Sequence, residues 1–237
     1  MNVHPSSRWV VANTIGFGLG GAVFGAFMRT ANQPYYEVVT SASDAVRIES
    51  VSTGEGMALF GALIGVAQWV VLRRTPFGRQ WAPLTLIAWA VMGVIVGTLS
   101  GLGFGQLSSI GPHRDGPVVL AVVIPGILVF GLPSTLQWLV MRRHVAADRW
   151  PLVGFAGLIM GFVAAGVVVR WGLVDVVAWL TPYDFPSAKA LICAGAVIGT
   201  TYGIVTGPTI GQIMRHANRP TTSQARTAQP GRPGRQR

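Results

Sequence analysis

The sequence predicts an all-α, polytopic membrane protein with six transmembrane helices arranged as three parallel two-helix repeats. Three observations predict it: apolar residues gather into blocks of span length, charges sort by side, and a Gln-Trp ending followed by an Arg pair recurs along the chain. Of 237 residues, 51% are hydrophobic and 11% charged, with a mean hydropathy of +0.51. A soluble globule carries roughly a quarter charged residues. A helix crosses a bilayer with about 20 consecutive, predominantly apolar residues. Six blocks meet that test: Trp9–Met28, Gly56–Leu72, Trp81–Phe104, Val118–Met141, Leu152–Val169 and Ala188–Met214. They define a transmembrane domain over 1–216 with no room for a separate soluble domain.

The first block is longer than the h-region of a signal peptide and no A-x-A-like site follows it, so it reads as a retained span. The lone cysteine, Cys193, lies inside the last block and excludes a disulfide framework or a cysteine metal cluster.

Orientation follows from the charges. With the N-terminus inside, the cytoplasmic segments hold Arg8, Arg73, Arg74, Arg79, Arg142, Arg143, Arg149, Arg215, Arg219, Arg226, Arg232, Arg235 and Arg237 against the single acid Asp148. The outer segments hold Arg29, Arg47, Arg114, Arg170 and Lys189 against Glu37, Asp44, Glu49, Glu55, Asp115, Asp175 and Asp184. This excess of cytoplasmic arginine is the positive-inside pattern. It predicts a multi-pass protein of the cell inner (plasma) membrane with both termini cytoplasmic. The net charge of +10 is therefore a topology signal, and no nucleic-acid partner is expected. Arginines beside the cytoplasmic leaflet attract anionic headgroups at about 1 kcal/mol each. The expected partners are the lipid bilayer, anionic lipid at the Arg clusters, and another membrane protein or complex.

The repeats run over about 9–74, 81–143 and 150–216. Gln68-Trp69 with Arg73-Arg74 recurs as Gln137-Trp138 with Arg142-Arg143 at an offset of 69, and Trp81 recurs as Trp150 at that offset. Trp9 stands before Trp81 at the slightly longer offset of 72, and Gln212 with Arg215 is read as the third ending. Each unit opens on Trp, crosses outward on a Gly-rich helix and returns on a helix ending in Gln and Arg. Parallel repeats are related by an axis along the membrane normal, which both a closed pseudo-threefold bundle and an open row of hairpins satisfy. Thr30–Gly54 reads as a long acidic outer loop, Trp171–Leu180 as an interfacial amphipathic helix, and 217–237 as a disordered cytoplasmic tail.

The hairpin endings GALIGVAQWVVLRR and LPSTLQWLVMRR resemble those of uncharacterised bacterial multi-pass membrane proteins built from tandem Gly-rich hairpins. The resemblance spans Trp9 to about Arg215, and the third copy lacks the Trp after Gln212 and the second Arg. It implies a fold and a topology, and no activity.

Glycines at four-residue spacing, Gly93, Gly97, Gly101 and Gly105, then Gly195, Gly199, Gly203, Gly207 and Gly211, each share a helix face. In lipid such faces let backbones approach and pack closely. The G-x-G-x-x-G spacing at Gly16–Gly21 lies inside an apolar span with no preceding strand, so it is not a nucleotide fingerprint. No ionisable residue lies well inside a block, which counts against a proton-coupled pump. The polar residues left are Asn13, Gln68, Gln137, Gln212 and a Thr-rich cluster containing Thr200, Thr201, Tyr202, Thr206 and Thr209. Of these, Gln68, Gln137, Gln212, Thr200 and Thr206 are the structural or pore-lining candidates, with the three Gln side chains expected inward in one layer.

Pro125, Pro133 and Pro208 are expected to kink their helices. His4, His113, His144 and His216 are not spaced for a metal, no Ser or Cys has an intramembrane His to activate it, and no carboxylate pair is buried. No catalytic residue, cofactor or metal is therefore expected. The function predicted is a non-enzymatic scaffold or accessory subunit acting through helix packing and loop contacts; the alternative is a channel or facilitator for a small neutral solute.

Overall fold

The computed structural model describes residues 4–32, 42–107, 129–170 and 186–217, and among them every regular element is helical. The helices are α1 Pro5–Asn32, α2 Ala42–Leu72, α3 Gly78–Leu107, α4 Leu132–Met141, α5 Trp150–Arg170 and α6 Pro186–Ala217. Five of them, all but α4, are long and apolar enough to cross a membrane. The predicted fourth span falls on 118–141, of which 118–128 lie outside the described residues, as do Trp171–Leu180 and the tail beyond Ala217.

The helices form a ring. Each packs against its neighbours in the chain, and α6 packs back against α1. Ring closure distinguishes a closed bundle from an open row. The neighbours run antiparallel, so Arg8, Arg73, Arg74, Arg79, Arg142, Arg143, Arg149 and Arg215 gather at one end.

Glycine permits the closest seams. A Cβ built on Gly203 would stand 2.7 Å from the Val10 Cα, and one on Gly199 would stand 2.8 Å from the Phe17 Cβ. Across α2 and α3, a Cβ on Gly65 would stand 3.1 Å from the Ala82 Cα, and one on Gly61 would stand 2.5 Å from the Trp89 Cβ. Gly61 and Gly65 map onto Gly199 and Gly203 at twice the offset of 69, and their partners Trp89 and Ala82 map onto Phe17 and Val10 at the offset that relates Trp81 to Trp9. Gly93 faces Met57, Gly97 the Glu49 backbone, and Gly195 the Phe17 backbone, whereas Gly207 meets Ser6 at an ordinary 3.5 Å. Gly101 lies in α3, and what surrounds it is outside the described residues.

One sequence expectation is corrected here. Residues 42–54, read as loop, form the first turns of α2: Asp44 sits in the first turn, where a negative charge favours the helix N-terminus. Gly54 packs on Val94, and Ser50 pairs with Thr98 through hydroxyls 2.9 Å apart. At 31 residues α2 is about 46 Å long, more than the roughly 30 Å hydrocarbon core, so its polar first turns extend past the apolar span. Pro133 lies beside an interruption: Val129 is helical, 130 and 131 form a turn, and α4 begins at Leu132, while Pro125 lies outside the described residues. Pro133 stands in the first turn of α4 beside the N-cap Gly131, where a missing N–H costs nothing. Pro208 lies within α6 as expected, and Pro83, not singled out in the sequence, lies within α3.

Apolar side chains cover the outside of the bundle as well as filling most of its inside. In an apolar 18-residue stretch of each of the five long helices, no more than 39% of the residues are buried in the protein. The outward faces are apolar, as in the α1 stripe Val11, Ile15, Leu19 and Val23, while Asn13, Thr85, Ser134 and Thr206 are buried.

Candidate functional site

At the Arg-rich end three indoles close the bundle. Trp9, Trp81 and Trp150 open α1, α3 and α5, and each has 0% of its surface exposed. Their ring centroids form a nearly equilateral triangle, 6.2, 6.1 and 5.9 Å on its sides, with interplanar angles of 75°, 68° and 70°. Edge-to-face packing of this kind matches positive ring edges to negative faces.

Short turns deliver the second and third indoles. After α2, the Thr75 N–H and hydroxyl both donate to the Leu72 carbonyl, at 2.8 and 2.7 Å. After α4, the His144 and Val145 N–H groups donate to the Met141 carbonyl, each at 2.9 Å. Leu72 and Met141 stand at the same spacing before the next Trp, and both are fully buried, as is Ile210, which follows Met141 at the offset of 69.

An indole N–H buried in an apolar medium needs an acceptor, and each one has it. Trp81 Nε1 donates to Gln68 Oε1 at 2.7 Å, Trp150 Nε1 to Gln137 Oε1 at 3.3 Å, and Trp9 Nε1 to Thr206 Oγ1 at 2.8 Å. Gln68 Nε2 donates to Asn13 Oδ1 at 2.8 Å, and Asn13 Nδ2 to the Trp9 carbonyl at 2.8 Å. Gln137 Nε2 donates to Thr85 Oγ1 at 3.1 Å and reaches Gln68 Oε1 at 3.5 Å. Thr206 Oγ1 donates to the Tyr202 carbonyl at 2.6 Å. In the third hairpin Gly154 stands where Asn13 and Thr85 stand in the first two, and Ser134 occupies the space it leaves.

Gln68 and Gln137 are thus inward as expected, and Gln212 is not. It is exposed, beside a cavity of about 280 Å³ shared with Asp148, Arg149, Thr209 and His216. The acceptor in its place is Thr206, at the offset of 69 from Gln137. At 3.6 residues per turn, six residues further along carries Gln212 about 240° around the helix from Thr206. Thr200 lies apart from this cluster, on the α1–α6 seam, its hydroxyl 2.8 Å from that of Thr14 while it donates to the Ala196 carbonyl at 2.8 Å.

No family model, curated protein or solved structure matches the chain. What the site does is therefore argued from its own chemistry. Apart from Ser134 Oγ, which is buried without a hydrogen-bond partner, its polar side chains are spent on one another and on backbone carbonyls, and among the described residues no group of His, Cys, Asp or Glu is placed to hold a metal ion. The arrangement locks three helix starts to three helix ends.

Sequence reading missed that the Trp residues are core. Trp at the start of each span fits an interfacial belt. Only the equal spacing of Gln68 to Trp81 and of Gln137 to Trp150 signals otherwise, since it keeps each amide in register with the indole it accepts from.

Proposed function

We propose that the chain is a six-span, non-enzymatic scaffold or accessory subunit of the cell inner membrane, its three hairpins closed into a ring and both termini cytoplasmic. Five apolar helices, outward apolar faces and the one-ended arginines support the membrane reading. Kinship with the tandem-hairpin proteins belongs to the same proposal and rests on the two motif copies. A further membrane protein is the partner such a bundle would serve, and the bilayer is its surroundings.

The observation that carries the function is the indole plug. Asn13, Gln68, Thr85, Gln137 and Thr206, which would line a solute path at this end, are bonded among themselves and to three buried rings. Proteoliposomes should accordingly swell no faster than empty liposomes in gradients of small neutral solutes such as glycerol or urea. Protein-dependent swelling at any dose would replace this reading with the facilitator.

The orientation has its own check. With Cys193→Ser, a reporter Ala146→Cys, in the exposed turn between α4 and α5, should escape an impermeant thiol reagent on intact cells and react after permeabilisation. Labelling of intact cells would invert the topology.

A further inference from the structure

The three hairpins are not equal at their arginines. In the first, Arg8 opens α1 while Arg73 and Arg74 follow α2; the corresponding positions of the second hairpin are Gln80, Arg142 and Arg143, and those of the third are Arg149, Gly211 and Gln212. Arg8, Arg73 and Arg74 come together at the α1–α2 corner. There they rim a groove of about 670 Å³, whose wall is the apolar strip of Val11, Ile15, Ala67 and Val70, closed on one side by Met214 of α6. That volume is within the roughly 300–1,000 Å³ typical of ligand sites.

No acid lines the groove, and among the described residues none of these three arginines has an ion pair. Elsewhere the Arg142 guanidinium lies 4.7 Å from the Trp138 ring centre, and Arg149 lines its smaller cavity together with the acid Asp148. From Arg8 to Ile15 the strip descends about 10 Å along the helix, from a charged rim to half-exposed aliphatic side chains. A solute-sized anion would leave that strip unused, and an uncharged chain would leave the rim unpaired. The residues 218–237, with five arginines and no acid, are the wrong charge to fill it.

We propose that this groove seats one anionic phospholipid of the surrounding bilayer, its phosphate between Arg8, Arg73 and Arg74 and the start of one acyl chain along Val11, Ile15 and Val70. Guanidinium donors suit phosphate oxygens geometrically as well as electrostatically. The inference rests on the membrane reading.

The test is native mass spectrometry of detergent-purified protein equilibrated with equal phosphatidylglycerol and phosphatidylcholine. The expected result is one retained phosphatidylglycerol per chain in preference to phosphatidylcholine. Arg73→Gln with Arg74→Gln should reduce that retention by about tenfold or more, from the attraction of two surface arginines. Ile15→Trp, which fills the strip and keeps every charge, should reduce it too, whereas Arg142→Gln with Arg143→Gln should leave it unchanged. Equal retention of the two lipids, equal loss from both arginine pairs, or retention indifferent to Ile15→Trp would each overturn the proposal. So would displacement of the lipid by millimolar inorganic phosphate, which would mark a site for the free anion. A chain that stays monodisperse without detergent would instead defeat the membrane reading itself.

Discussion

Gln68→Leu is expected to lower the unfolding free energy in detergent by about 2–4 kcal/mol, although the two side chains are similar in size. The substitution removes the acceptor of the Trp81 N–H and the donor to Asn13 Oδ1, and also the longer contact from Gln137. A buried group that loses its partner costs about 1–3 kcal/mol. Interhelical polar bonds in membrane proteins average about 0.6 kcal/mol with a maximum of about 1.7, because the unfolded chain also finds partners. Two orphaned groups in one buried site push the sum toward the upper part of that range. Gln212→Leu is the control, and as an exposed residue outside the cluster it should stay within about 0.5 kcal/mol of the parent. Reversible denaturation followed by tryptophan fluorescence reads both, since three of the eight tryptophans are in the plug. Equal effects of the two substitutions would remove the energetic distinction between Gln68 and Gln212.

The Gly stripe of α6 supplies a second contrast, between two glycines one helical turn apart. A methyl at Gly203 meets the Val10 Cα at 2.7 Å, and that neighbour is backbone, so α1 and α6 must part to admit it. Overpacking of this kind costs about 1–3 kcal/mol. At Gly207 the same methyl finds Ser6 at 3.5 Å, ordinary contact, and Ala is favoured over Gly in a helix by up to about 1 kcal/mol. Gly203→Ala should therefore lower the melting temperature in detergent while Gly207→Ala leaves it unchanged or raises it. Melting temperatures that move together would mean that the stripe is not read by its local spacing to α1.

Much of the fold is legible in the sequence because a bilayer imposes length and polarity on each segment. The blocks beginning at Trp9, Gly56, Trp81, Leu152 and Ala188 all fall within helices suited to spanning. Helix ends are less legible. Nothing in hydropathy says that residues 42–54 continue α2 beyond the apolar stretch, since that extension is held by packing on α3 through Gly54 and Gly97. The site is half legible for a related reason. Gln68 and Gln137 announce themselves as amides in apolar helices, but Thr206 is one of several hydroxyls in α6 and resembles none of its counterparts in type. Gln212 has the right identity at the wrong rotation. Residue type suggested Gln212 and the offset of 69 from Gln137 suggested Thr206, and the geometry follows the offset, because the acceptor must face the Trp9 N–H whatever its chemistry.

The closed ring on which this account depends is tested most directly by joining its first and last helices. Thr14 and Thr200 lie 186 residues apart in sequence with hydroxyls 2.8 Å from each other. In a Cys193→Ser background, Thr14→Cys with Thr200→Cys should oxidise to an intramolecular disulfide, detected as one unbroken monomer band of altered mobility that reverts on reduction. Absence of the bond, or its appearance only between two chains, would contradict closure and return the molecule to an open row of hairpins.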